Sequence, residues 1–111
     1  MFTGKVNDGF FTENILPYTG KVKPEVIIGP SMGVDSAILK LGDKYMAVAE
    51  DPIFPSATMS PEDFAYVTVH IGASDVAVMG IKPQYMTYSL LLPLDTEEEY
   101  IARLVKAINI Y

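Results

Sequence analysis

The sequence predicts an α/β (α+β) domain, and three observations carry that prediction. Two segments begin with helix-start chemistry, Ser60-Pro61-Glu62-Asp63 and Asp95-Thr96-Glu97-Glu98-Glu99. Two short β-like runs, residues 36–41 and 44–49, flank Gly42-Asp43. Residues 84–92 alternate in the manner of a strand. The expected order is α-β-β-β-α-β-α, with no repeat, linker or low-complexity segment.

Taken in order, residues 9–17 read as a short helix with Asp8 as its N-cap and Phe10, Phe11, Ile15 and Leu16 as its buried side. Glu25-Val26-Ile27-Ile28 is a brief strand that delivers the chain into a turn running from Gly29 to Gly33. Gly42 stands at the first central position of a hairpin turn, which suits the primed type. Residues 52–60 form a loop broken by Pro52, Pro55 and Ser56, and are expected to be mobile.

Ser60 as cap, Pro61 at the first helical position and two acids behind it open a helix expected to run to about Met79 and stop at Gly80. Its apolar positions, among them Phe64, Val67, Ile71 and Val78, wrap most of the way round, which predicts a central, largely buried helix. In residues 84–92, Met86, Tyr88, Leu90 and Leu92 share one face and Tyr85, Thr87, Ser89 and Leu91 the other. Neither face is polar, so both are expected to be covered. Thr96 and Glu99 then stand at capping-box spacing, followed by a stripe of Ile101, Leu104, Val105 and Ile108. Arg103 and Lys106 complement the dipole at the end of that helix.

Composition narrows the function classes. At 111 residues the chain is one domain, large enough to bury a core. Half the residues are hydrophobic and the mean hydropathy is +0.24, which points to further burial in an oligomer. No apolar run approaches the ~20 residues of a membrane helix. Residues 1–5 lack the basic and apolar regions of a signal peptide, so a cytoplasmic protein is expected. The absence of cysteine excludes disulfides, thiolate metal sites and cysteine nucleophiles. With 14 acids against 8 bases, the net charge of −6 argues against nucleic acid, and an anionic ligand would need a cation to offset the field.

The chemistry-bearing residues are few. Asp75 lies in a segment otherwise made of Ala, Val, Met and Gly. A buried carboxylate costs several kcal/mol unless paired or liganded. Asp75 therefore holds a ligand, caps a neighbouring loop, or faces solvent. Asp51 precedes Pro52 and is held extended, as a ligand or as a turn former. Asp35, just after the Gly-rich turn, is a ligand or an Asx-turn residue. Together the three acids suit Mg²⁺, which takes one or two carboxylates plus water and phosphate oxygens. The turn from Gly29 to Gly33 is able to present backbone N–H groups to the same oxygens, although no Walker-type Gly-Lys-Ser/Thr follows. His70 is the single histidine, and without an identifiable partner it reads as a packed or capping residue ahead of a catalyst.

These segments resemble the N-terminal domain of the aminoimidazole ribonucleotide synthase (PurM-like) superfamily. Its members include selenophosphate synthetases, thiamine monophosphate kinases, formylglycinamidine synthases and the hydrogenase-maturation dehydratase. The likeness runs through Val26-Ile27-Ile28-Gly29-Pro30-Ser31-Met32-Gly33-Val34-Asp35-Ser36-Ala37-Ile38 and Glu50-Asp51-Pro52-Ile53. It continues in Val69-His70-Ile71-Gly72-Ala73-Ser74-Asp75-Val76-Ala77-Val78-Met79-Gly80-Ile81-Lys82-Pro83 and Leu90-Leu91-Leu92-Pro93. Archaeal synthase-related proteins akin to the hydrogenase-maturation member are the most similar in pattern. The resemblance implies a mixed sheet with helices on one face, whose strands join those of a twin subunit in a shared barrel. It also implies Mg·ATP near that interface, with Asp35, Asp51 and Asp75 as magnesium and phosphate-site ligands and Gly33 giving close backbone approach. No catalytic base or nucleophile is assigned to this chain.

Three departures bear on function. Val34 stands where the family often has an acid, Glu50 where a small hydroxyl residue is common, and Ser74 where Asn is common. Strand neighbours point to opposite faces, so Glu50 beside Asp51 does not replace the missing acid. The chain also ends at Tyr111, where family enzymes continue into a second α/β domain. The expected function is that of a Mg·ATP-binding and dimerisation domain of an enzyme that phosphorylates a carbonyl-type oxygen. It is expected to form a homodimer, and a separate partner carrying the second domain is a further candidate associate. The alternative is a dimerisation module that has lost nucleotide binding, with a nucleotide-free carboxylate enzyme as a third reading.

Overall fold

The structure, a computed structural model, describes residues 6–56 and 58–111. The leader reading at residues 1–5 and the loop position Ala57 lie outside the described residues. The chain forms two compact units, Met1–Val48 and Ala49–Tyr111.

In the first unit, helix α1 (Asp8–Asn14) is followed by a 3₁₀ turn (Leu16–Tyr18). Asn7, not Asp8, is the N-cap: its backbone is extended, and its Oδ1 accepts from the Phe10 N–H at 2.8 Å. Of the expected buried side, only Phe11 and Leu16 are half-buried, while Phe10 and Ile15 are exposed. Strands β1 (Val26–Ile28), β2 (Ala37–Leu41) and β3 (Lys44–Val48) form an antiparallel sheet in the order β1-β2-β3. The described strands all pair antiparallel, and with the helices they make the expected α+β domain.

Gly42 and Asp43 close the β2–β3 hairpin, with Leu41 opposite Lys44. Gly42 has φ +63° and no residue other than glycine has positive φ among the described residues. That combination fits the type II′ turn, which needs positive φ only at its first central residue. The β1–β2 ladder shifts register between Val26 and Ile28, and the Lys40 N–H donates to the Glu25 carbonyl beyond the strand end.

The second unit is a helical pair. Helix α2 (Pro61–Ala77) starts as its sequence dictates. The Ser60 hydroxyl oxygen accepts from the Asp63 N–H at 3.1 Å, and the hydroxyl donates to the Asp63 carboxylate at 2.7 Å. Its last turn unwinds through Val78 and Met79 to Gly80, whose φ of +78° belongs to the left-handed region. Helix α3 (Glu98–Ile108) packs on α2 around a core of Phe64, Ala65, Leu104, Ala107 and Ile108. Ile53, Met59, Val69, Leu90, Leu92 and Tyr100 surround that core. Arg103 crosses to Glu62 in a bidentate pair, Nε to Oε1 at 2.9 Å and a terminal nitrogen to Oε2 at 2.7 Å.

Two expectations about the helices are corrected here. Helix α2 is buried only along its first turns, at Pro61, Phe64 and Ala65, while Tyr66, Ile71 and Val78 are exposed. Within this unit a single helix packs against it, so its apolar residues outnumber the positions that α3 covers. The capping box also fails to form. The Thr96 hydroxyl donates to the Pro93 carbonyl at 2.7 Å, and Glu97 takes the N-cap position without a side-chain bond. Thr96 is thus committed to the turn before the helix, a local competition open to any hydroxyl residue beside a turn.

Residues 84–92 make no ladder with any described strand. Leu90 and Leu92 pack beside the helical core, but Tyr85 is 95 % and Leu91 80 % exposed. Alternation gives a segment the side-chain pattern of a strand, yet a strand exists only when another supplies its hydrogen bonds. Among the described residues no helix is long and apolar enough to cross a membrane.

Candidate functional site

The Gly-rich segment is the β1–β2 connection, residues 29–36. Antiparallel pairing of Ile28 with Ile38 returns the chain beside itself and fixes both ends of this loop. At its centre Gly33 has φ +73°, which L side chains rarely adopt, and a Cβ there would meet nothing within 4 Å. Its backbone therefore lies open to an incoming group. Asp35 is exposed and makes no hydrogen bond or ion pair with a described residue. Ser36, which follows it, is 3 % exposed and is the buried polar residue among those described.

The other two acids belong to the second unit. Asp51 lies in the irregular segment after β3, exposed, with its carboxylate uncommitted among the described residues. Asp75 sits in the last turn of α2, half-buried, and is engaged in an interaction of its own. Beside it, the Ser74 hydroxyl donates to the Ile71 carbonyl at 2.7 Å. Gly33 and Asp35 thus come from the first unit, Asp51 and Asp75 from the second. Within either unit, no group of three or more His, Asp or Glu side chains gathers closely enough to hold a metal ion among the described residues.

Each unit carries hard carboxylate oxygens of the kind magnesium takes, Asp35 in the first and Asp51 and Asp75 in the second. Glu50 is exposed next to Asp51.

His70 is committed locally. Its Nδ1 donates to the Tyr66 carbonyl at 2.8 Å, and its ring stacks on that of Tyr66 at 4.0 Å. Tyr111 meets both rings edge-on at 5.5 Å.

A second feature lies wholly within the second unit. A cavity of about 360 Å³ is lined by Pro55, Ser56, Met59, Leu92, Pro93, Thr96, Glu97 and Tyr100. In the sequence these residues read as loop, core strand and helix start. The signal that marks them as a cavity is tertiary: the loop before α2 and the turn before α3 face one another across the end of the helical pair.

Comparison with known proteins adds the following. The family described as AIR synthase related protein, N-terminal domain, matches residues 33–111. The chain is 30 % identical over 83 residues to a thiamine-monophosphate kinase of Pyrococcus abyssi, covering 71 % of this chain and 27 % of that protein. It is 34 % identical over 77 residues to the thiamine-monophosphate kinase of Haemophilus influenzae, covering 65 % of this chain and 23 % of that one. A third such kinase, from Buchnera aphidicola, is 34 % identical over 67 residues, 56 % of this chain and 21 % of the kinase. The chain thus spans about a quarter of the length of the curated relatives it matches. No solved structure matches it at comparable stringency.

Proposed function

Because the chain belongs to the AIR synthase related family, as its N-terminal domain, we propose that it is the Mg·ATP-binding and dimerising part of a phosphoryl-transfer enzyme. The observation that carries this reading is the match from Gly33 to Tyr111, which contains all three acids, Asp35 and Asp51 exposed and Asp75 half-buried. Asp35, Asp51 and Asp75 would hold the magnesium ion, and the open backbone at Gly33 would face phosphate oxygens. Bound there, the ion supplies charge neutralisation for phosphoryl transfer. The chain's own task is to place hard oxygen donors and N–H groups so that a polyanion binds despite a net charge of −6.

The relatives' name, thiamine-monophosphate kinase, favours a transfer that ends on the acceptor. The synthase and hydrogenase-maturation branches would instead phosphorylate a carbonyl-type oxygen as activation. Both uses begin with the same bound nucleotide, and the acceptor would be chosen largely by a second domain, in the same protein or a partner. A cytoplasmic setting, where ATP is available, belongs to this reading.

Homodimer formation is part of the proposal. It is supported by residues 84–92, which alternate, carry exposed Tyr85, Met86, Tyr88 and Leu91, and find no ladder among the described residues. A strand from a second copy would supply the missing hydrogen bonds.

Calorimetric titration of Mg·ATP tests the nucleotide site. Saturable, magnesium-dependent binding is expected, and Asp51→Asn or Asp75→Asn should weaken it at least tenfold without unfolding the chain. Equal binding by the variants would overturn the assignment. The second reading, a dimerisation module without nucleotide, rests on Val34 and Glu50 at family acid and hydroxyl positions. A stable dimer that ignores Mg·ATP would establish it.

A further inference from the structure

The cavity at the end of the helical pair is lined by residues of two kinds. Pro55, Met59, Leu92 and Pro93 supply apolar walls. Ser56, Thr96, Glu97 and Tyr100 supply oxygen atoms around them. No other described residue makes a hydrogen bond or ion pair with the Ser56 hydroxyl, the Glu97 carboxylate or the Tyr100 hydroxyl. Thr96 spends its proton on the Pro93 carbonyl, which leaves its oxygen as an acceptor. No lysine or arginine lines the cavity, and the cation nearest in sequence, Arg103, is held by Glu62. None of Asp35, Asp51 and Asp75 lines it either.

A small apolar pocket with several uncommitted polar groups is the form that organic-ligand sites take. Among the lining side chains the single ionic group is Glu97, with Asp95 and Glu98 within two positions of it in the chain. A carboxylate and three hydroxyl oxygens are matched by a group that donates several N–H bonds and carries positive charge. A quaternary ammonium ion fits less well, because only one aromatic ring, Tyr100, lines the cavity.

We propose that this cavity is a binding site for a protonated primary amine on an apolar body. Glu97 and the hydroxyls of Ser56 and Tyr100 take the ammonium group, and Met59 and Leu92 the body. The acids assigned to Mg·ATP are not among its lining residues, so either assignment can fail while the other stands.

Phenethylammonium is the probe, titrated into the full chain and followed by amide NMR. Backbone signals of Ser56, Met59, Thr96, Glu97 and Tyr100 should shift together to saturation. Two molecules of similar size, neutral 2-phenylethanol and anionic 3-phenylpropionate, should bind at least tenfold more weakly. Glu97→Gln should weaken phenethylammonium at least tenfold, whereas Glu98→Gln, changed outside the cavity lining, should leave it within twofold. Glu97 is exposed and makes no side-chain bond, so its replacement does not threaten the fold. Equal binding of the alcohol, preference for the carboxylate, an unaltered Glu97→Gln, or shifts scattered away from these residues would each overturn the proposal.

Discussion

Replacing Leu104 by alanine tests the packing of the helical pair most directly. Leu104 is 0 % exposed and sits among Phe64, Ala65, Ala107 and Ile108. Removing three carbons loses roughly 2.4 kcal/mol of transfer free energy at about 0.8 kcal/mol per methylene. The cavity left behind raises the total to about 3–4 kcal/mol. Its neighbour Val105 is 40 % exposed. Truncating Val105 loses roughly 1 kcal/mol, part of it returned by the higher helix propensity of alanine, for a net cost under about 0.7 kcal/mol.

The assay is urea unfolding followed by far-UV circular dichroism. With a slope of about 1 kcal/mol per M, Leu104→Ala should lower the midpoint by about 3–4 M, and Val105→Ala by less than about 0.7 M. Because a small domain holds only on the order of 5–10 kcal/mol, the leucine variant will be near its limit at ambient temperature. Equal losses in the two variants would refute the reasoning. They would mean that α3 presents its 104/105 edge symmetrically to the core.

Other outcomes follow from local features. Ser60→Ala removes the acceptor of the Asp63 N–H and should cost about 1 kcal/mol in the same unfolding assay. Gly42→Ala forces a side chain into φ +63° and should cost about 1–2 kcal/mol, read as a lowered melting temperature. Thr87→Pro removes a backbone donor from the unladdered segment and should shift a dimer toward monomer in sedimentation equilibrium; an unchanged dimer would move the interface elsewhere. Hydrogen bonds from the Arg103 side chain hold the Glu62 carboxyl below its usual range. A depressed carboxylate stabilises above its unfolded-state pKa and loses that contribution as pH falls through its folded-state value. The pair is solvent-exposed, so Glu62→Gln should weaken the acid limb only slightly, and less still in 1 M salt.

By itself the sequence determined the features whose partners lie within a few residues. Ser60 finds its acceptor role three positions on, Gly42 sets a turn by its own φ, and Gly80 ends a helix by the same freedom. The family resemblance was legible for the same kind of reason: it rests on contiguous segments around Asp35, Asp51 and Asp75 and needs no knowledge of the fold. Where two local options competed, pattern alone chose wrongly. Thr96 had a cap and a turn within reach, and the carbonyl of Pro93 took it.

Tertiary structure decided everything that depends on a distant partner. Ile101, Leu104, Val105 and Ile108 look alike along the chain, but only the approach of α2 separates fully buried Leu104 from exposed Val105 and adds Ala107 and Tyr100 to the face. Arg103 serves Glu62, 41 positions away, a pairing that no helix-dipole argument could choose. Glu97 and Tyr100 became cavity lining only when the loop holding Ser56 and Met59 came to face them. Residues 84–92 have every side-chain attribute of a strand and still lack a ladder among the described residues, because the hydrogen bonds of a strand belong to its neighbour rather than to itself.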